Sequence, residues 1–396
     1  MPSTSHSPLP RRTFLGQSLG AAGCAATIPA GGVFAAGDDR LRVGLVGCGG
    51  RGTGAALHAA AADAGVRITA LADLFPDQIA SAAAVLVRHA GHAFDCPPER
   101  RFCGGAAWRH LIEADVDIVI LATPPDARPL QAAAAVAAGR HLFCETPAAV
   151  DAAGGRDMLS TCAEARRRGL SIVSGLSWRR DPATVAAIGR IHAGAIGRPL
   201  HAVASSCIGL PWHWPAQPAW TAAETVRRNW IACERQSGGH FVEQQIHPLD
   251  KLLWALGDEQ PLAAEAIAAG GDGHAGTAVR YHFADGRTLE AGIVRRAGGP
   301  DRIEERVHGT AGTCDLRRHA TAAGGRHRLG MEALVRAVRS GSREDDGDAL
   351  CRSTLAALLG RAAAARGGTV SWAALAADPA PVGAALAAGL AALQPV

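Results

Sequence analysis

Over the first half of the chain, short aliphatic runs alternate with longer stretches of helical period. Residues 41–46, 66–72, 116–122, 141–144 and 170–173 are mostly apolar runs, the pattern of parallel strands buried on both faces. Between them, 52–64, 76–90, 129–138 and a stretch ending at Glu164 are alanine-rich and helical. Repeated β-α units predict a doubly wound parallel sheet. The pattern changes near Ser174. A helix is predicted over 181–193 and a strand over 199–207. A polar-faced helical stretch follows over 238–256, with Pro248 as a candidate break. Residues 262–268, 278–283, 288–294 and 302–307 read as antiparallel strands, with Ala284-Asp285-Gly286 as a hairpin turn. Helices return over 330–340 and 347–365, and the alanine-rich tail 379–393 suits a last one. The predicted class is α/β. A doubly wound parallel sheet over 38–174 precedes an α/β unit over 175–396 with an open, mostly antiparallel sheet.

The first strand runs into Gly47-Cys48-Gly49-Gly50-Arg51-Gly52, which fits G-x-G-x-x-G. In that context Gly47 permits a tight turn, and Gly49 lets the backbone approach a pyrophosphate. Gly52 lets helix and strand pack closely. The second strand leads to Asp73, where a carboxylate would hold ribose hydroxyls. A carboxylate there repels a 2′-phosphate, which favours NAD over NADP, although Arg51 lies close enough to help a phosphate. Gly50, Thr123, Pro124, Glu145 and Pro147 complete the candidate cofactor contacts, because ligands bind at the carboxyl ends of parallel strands.

Glu243, His247, Asp250 and Trp254 are spaced four, three and four residues apart, which puts them on one face of a continuous helix. The chemical interpretation is an imidazole base, His247, oriented by Glu243 or Asp250. The alternative is a solvated helix face. Trp212, Trp214, Trp220 and Trp230 crowd one segment of a chain with only 4% aromatic residues. Their indole faces suit the C–H faces of sugar rings, or they form a small apolar cluster under a long loop.

Composition narrows the classes. The chain has 396 residues, 48% hydrophobic and 19% charged, enough for a globular core and not a disordered chain. No uninterrupted apolar run is long enough for a spanning helix. The net charge is +4 and the basic residues are scattered, so no nucleic-acid footprint appears. Arg11 and Arg12, the weakly apolar stretch to Val33 and the small residues after it fit a twin-arginine export signal over 1–37. An ordinary basic N-terminus is the alternative. With the signal, the mature protein is expected outside the cytoplasm, periplasmic where an outer membrane exists. Cys96 and Cys103 flank a short loop and could pair or remain free. No cysteine or histidine spacing suggests a metal. Lys251 is the only lysine.

These residues together resemble the glucose–fructose oxidoreductase / inositol dehydrogenase / MocA family in its twin-arginine-exported form. The resemblance also rests on Ala122-Thr123-Pro124, Cys144-Glu145-Thr146-Pro147, Trp178-Arg179-Arg180, Arg228-Asn229-Trp230, Gly238-Gly239-His240, the 309–315 segment and Val370-Ser371-Trp372. It implies an N-terminal Rossmann domain, a tightly held nicotinamide cofactor, a carbohydrate-like substrate and often oligomers built through the C-terminal sheet. Trp178, Arg179, Trp212, Trp214 and Trp230 become candidate substrate contacts. One departure matters. The family has Glu-Lys-Pro where this chain has Glu145-Thr146-Pro147, and threonine cannot carry the lysine's charge. Thr146 then becomes a substrate or cofactor contact, and Lys251 is the sole amine that could stand in. Three functions follow: an NAD(P)-dependent oxidoreductase of a sugar or polyol, a redox-assisted glycoside hydrolase or lyase, or a binding protein that has lost catalysis.

Overall fold

The computed structural model describes residues 39–268, 276–298, 300–319 and 324–378. The expected export segment and the tail helix over 379–393 lie outside them.

The first sheet is built from β1 (Leu41–Val46), β2 (Val66–Asp73), β3 (Arg101–Cys103), β4 (Ile118–Leu121), β5 (His141–Cys144) and β6 (Ile172–Ser174). Their order is β3-β2-β1-β4-β5-β6, and every pair is parallel. The aliphatic runs are explained by burial on both faces: Leu41, Val43, Leu45, Ile118, Val119 and Ile120 are fully enclosed. Helices α1 (Gly50–Ala62), α2 (Pro76–Ala90), α3 (Ala107–Glu113), α4 (Arg128–Ala137) and α5 (Ala152–Arg167) connect the strands. The strand order reverses between β1 and β4, which opens a crevice at their carboxyl ends.

The second sheet holds β7 (Pro199–Ile208), β8 (Ala263–Ala266), β9 (Gly276–His282), β10 (Thr288–Arg295), β11 (Arg302–Gly309), β12 (Thr313–Asp315) and β13 (Thr369–Ser371), ordered β12-β11-β7-β10-β9-β8-β13. It is mixed. β7 lies between β10 and β11, parallel to the first and antiparallel to the second. Local pattern showed β7 to β11 but neither the short edge strands β12 and β13 nor this insertion, which depends on the long connection after β7.

Helix α6 (Pro182–His192) precedes β7, and the connection after β7 carries the short helices α7 (Ala222–Arg228) and α8 (Glu234–Ser237), then α9 (His240–Ala255). Helix α9 is continuous, with Pro248 inside it, so the expected break is absent. Its Val242, Leu249, Leu252 and Leu253 share a core with Val279, Leu289 and Val307 of the sheet. Two later helices return to the first unit. Met331, Leu334 and Val338 of α10 (Gly324–Ser340) pack with β1 and α1 residues. α11 (Gly347–Arg366) places Leu350 and Cys351 in the first core and Leu355 to Leu359 in the second. A terminal α12 (Trp372–Ala376) closes the described chain.

Candidate active site

The crevice holds a cavity of about 770 Å³ lined by the glycine loop, the β2 end and the turn after β4. Gly47 has φ 95°, and a Cβ there would stand 2.6 Å from the Ala122 backbone. A Cβ on Gly52 would collide with the Gly47 carbonyl. Gly49 and Gly50 differ, since no protein atom lies within 4 Å of where their Cβ atoms would be. Their open side is a cradle in front of the α1 N-terminus. That terminus has no side-chain cap and no acidic residue in its first turn. Its first N–H groups are therefore left for an anion, which is what a dinucleotide pyrophosphate offers.

Asp73 ends β2 and buttresses this loop. Its carboxylate accepts from the backbone N–H of Cys48 at 2.7 Å and of Phe75 at 2.9 Å. Burial raises its pKa, and the two N–H groups oppose that rise. Each oxygen keeps a second lone pair for a ribose hydroxyl. Thr123 and Pro124 line the same cavity, and the Thr123 hydroxyl contacts Gln131 Oε1 at 2.6 Å. The residues present thus fit a nicotinamide dinucleotide.

The turn after β5 is closed and charged. Glu145 is buried, with Arg51 of the glycine loop 3.1 Å away. A Cβ on Gly175 would collide with the Glu145 carboxylate, so the β6 turn must pass there without a side chain. Arg128, at the start of α4, is buried and bonds the Pro147 carbonyl. Burial raises the Glu145 pKa, while Arg51 and then Arg128 lower it. Sequence reasoning missed Arg128; one arginine at a helix start carries no motif.

His247 is half-buried, and its Nδ1 is buried with no hydrogen-bond partner. Burial first, then Lys251 and Arg326, push its pKa down to about 4, so the imidazole is neutral near pH 7. His327 of α10 is also held at about 4, by burial, Arg51, Arg326 and His247. Arg51, one of the charges acting on His327, is the same arginine that lies 3.1 Å from Glu145. Neither Arg326 nor His327 gave a signal in the sequence.

The expected orienters of His247 are placed elsewhere. Asp250 is buried and accepts from Arg179 Nε at 2.8 Å and Ser353 Oγ at 2.9 Å. Glu243 bonds the neighbouring Gln244 side chain, and burial raises its pKa. Lys251 is buried against Glu305 of β11 with Trp178 4.1 Å away, so it is neither a free amine nor a solvated cation. The helix is continuous as the spacing requires, but Asp250 and Lys251 find their partners on other elements.

The candidate substrate contacts divide between residues with protein partners and residues that line the cavity. Arg179 pairs with Asp250 and Asp258. Trp178 faces Lys251 and Arg326 as a cation–π partner. Trp212, Trp214 and Trp230 line the same cavity as the glycine loop, together with Trp220, Asp73 and Phe75. Cys96 and Cys103 are free thiols directed at different carbonyls. Cys162 and Cys351 are instead neighbours, with sulfurs 3.9 Å apart. Among the described residues, no group of three or more His, Cys, Asp or Glu could hold a metal, and no helix is long and apolar enough to cross a membrane.

A six-stranded Rossmann sheet with an open glycine cradle, followed by a mixed sheet, defines a two-part dinucleotide-binding architecture. Residues 41–172 match the model of an oxidoreductase family with an NAD-binding Rossmann fold. Inositol 2-dehydrogenase of Rhizobium meliloti is 30% identical over 285 residues, covering 69% of this chain and 74% of that protein. The chain belongs to the glucose–fructose oxidoreductase / inositol dehydrogenase / MocA family. A glycosyl hydrolase family 109 protein of Shewanella amazonensis is 32% identical over 173 residues, 43% of this chain. The match spans 36% of that relative's length. The crystal structure of scyllo-inositol dehydrogenase from Lactobacillus casei with bound NAD(H) and scyllo-inositol has the same fold. Its TM-score is 0.64 at 19% identity, over 84% of this chain and 99% of that one.

Proposed function

We propose that this chain is a nicotinamide-dependent oxidoreductase acting on a sugar, polyol or sugar derivative, with NAD preferred to NADP. The observation that carries the chemistry is His247 itself, neutral near pH 7 and with an Nδ1 that no protein group satisfies among the described residues. A neutral imidazole can accept a hydroxyl proton, which an imidazolium cannot. The cofactor supplies the hydride acceptor. The glycine cradle and the α1 N-terminus hold its pyrophosphate, and Asp73 holds a ribose. Arg51, Arg128 and Arg326 keep positive potential around the reacting hydroxyl, a role the missing family lysine would have shared. Thr146 offers a hydrogen bond at that position. The preference for NAD rests on Asp73, whose carboxylate has no arginine partner in the cavity among the described residues. Twin-arginine export and assembly through the second sheet belong to the same proposal; they rest on the Arg11-Arg12 segment and on the family resemblance.

The test is purification of the mature protein, analysis of released nicotinamide, and oxidation of inositols and anhydro-sugars followed by NADH formation. Nucleotide binding with NADH formation on at least one polyol supports the proposal. Absence of any NAD(H) binding contradicts it.

The Shewanella glycosyl hydrolase family 109 relatives favour a second reading. Here the same oxidation of a ring hydroxyl to a ketone would acidify the neighbouring C–H. Loss of that proton would expel the glycosidic oxygen as the alcohol, water would add to the resulting unsaturated ketone, and the hydride would return to the ketone. Sugar released from a glycoside without net NADH formation distinguishes it.

A further inference from the structure

The dinucleotide cavity has two walls, and the second is supplied from outside the first sheet. The chain between β7 and α9 crosses back over the crevice. We propose that residues 209–233 are the missing half of the cofactor site: a clasp that binds the adenosine–pyrophosphate part and governs its release. This rests on the dinucleotide reading given above.

The clasp is stiffened from within. Asn229, 6% exposed, accepts from the Trp214 N–H at 2.8 Å and donates to the Trp214 and Thr225 carbonyls, each at 3.0 Å. Trp212 stands 6.4 Å from Trp214 and 6.3 Å from Trp230, ring centre to ring centre. Trp212 and Trp214 remain 44% and 58% exposed, although both line the cavity. Large indoles left partly in water beside a cavity need a ligand to cover them, and a purine base is a flat partner of matching size. A sugar at His247 is not that ligand, because the cavity these indoles line is shared with the glycine loop, Asp73 and Phe75, and His247 is not in its lining.

The clasp is fastened to the first sheet at two points. Arg228 forms a two-pronged pair with Asp77 at 2.7 and 2.9 Å, and its guanidinium lies 3.9 Å from the Phe75 ring and 4.5 Å from the Trp220 ring. Arg227 meets Asp126 at 2.6 Å, and the Asp126 side chain is fully enclosed. Planar two-pronged pairs hold geometry as well as charge. With both closed, a bound dinucleotide sits between indoles and glycine cradle, and leaving requires the fastenings to open. The clasp also brings Arg227 and Arg228 to a cavity that must receive a doubly charged pyrophosphate.

The test is the rate at which bound NADH leaves when chased with excess NAD, read by energy transfer from tryptophan to NADH. Full-length mature protein is compared with Arg228→Gln, Asp77→Asn and the exchanged pair Asp77→Arg with Arg228→Asp, the exchange made together with Glu224→Gln because Arg228 also bonds Glu224 at 2.9 Å. The clasp predicts release at least about tenfold faster in each single variant, with the exchanged pair returning to within about threefold of wild type. Rescue by the exchange separates a latch from general damage to folding. Trp220→Ala is expected to reduce the energy transfer and to quicken release. Single variants that release NADH within about twofold of wild type overturn the clasp while leaving the dinucleotide reading intact. A wild-type protein that binds no NADH overturns both.

Discussion

Lys251 and Glu305 form a buried ion pair between α9 and β11, each about 1–3% exposed. The only amine side chain in the protein is therefore committed to the join between a helix and the second sheet. It cannot serve as the family's catalytic lysine from there. Removing it leaves a buried carboxylate unpaired, so Lys251→Met is expected to cost about 3–5 kcal/mol of stability. Lys251→Met combined with Glu305→Leu should recover most of that loss. Chemical denaturation of the three proteins checks this. A single variant within about 1 kcal/mol of wild type would show that the pair is not structural.

His247 is assigned the proton. Replacing it with alanine is expected to lower turnover by about 10²–10⁴-fold while NAD affinity stays within a few-fold. Steady-state kinetics on a proven substrate, with calorimetric titration of NAD alongside, checks both halves. Comparable losses in binding and turnover would instead indicate a damaged site.

Acid should destabilise the fold through three histidines. His240, His247 and His327 are each held near 4 against an ordinary 6.5, with burial the largest cause. Between those values the unfolded chain binds protons that the folded one does not, so stability rises with pH across that window. The expectation is a melting temperature that is level near neutrality and falls as pH drops from 6.5 towards 4. Replacement of His247 by Gln should flatten part of that fall. An unchanged slope would mean that His247 is not buried neutral in solution.

What the sequence made legible was local. The glycine loop, the strand before it and Asp73 lie within one contiguous stretch, so one motif carried turn, cradle and carboxylate together. The α9 stripe was less legible. Its spacing was right and its helix continuous, yet Asp250 is taken by Arg179 and Ser353, 71 and 103 positions away. Lys251 is taken by Glu305, 54 positions away. Partners at such separations leave no periodic trace. The same holds for Arg326 and His327, which reach the site only because α10 packs back on α1. The tryptophans were recognised as a group, but which wall they would line was set by the path of the chain after β7.

Thr146→Lys tests how the site manages without its lysine. The new amine would enter a neighbourhood already holding Arg51 and Arg128, both acting on Glu145. Like charges lower its pKa, which suits proton transfer near neutrality. Turnover is expected to rise with NAD affinity little changed, and the rate should titrate with a new basic limb. A variant with unchanged kinetics would indicate that arginines already supply all the charge the reaction uses.

The most direct measurement is NAD titration of wild-type protein beside Gly49→Ala. Gly49 has φ −68° and ψ 178°, which alanine adopts without strain, and no protein atom occupies the space its methyl would enter. The account predicts that wild type binds NAD, and that Gly49→Ala melts at the same temperature or slightly higher when nucleotide-free. The variant should lose at least about tenfold in affinity, because the methyl fills the pyrophosphate cradle. Equal NAD binding by the two proteins, or none by wild type, would contradict it.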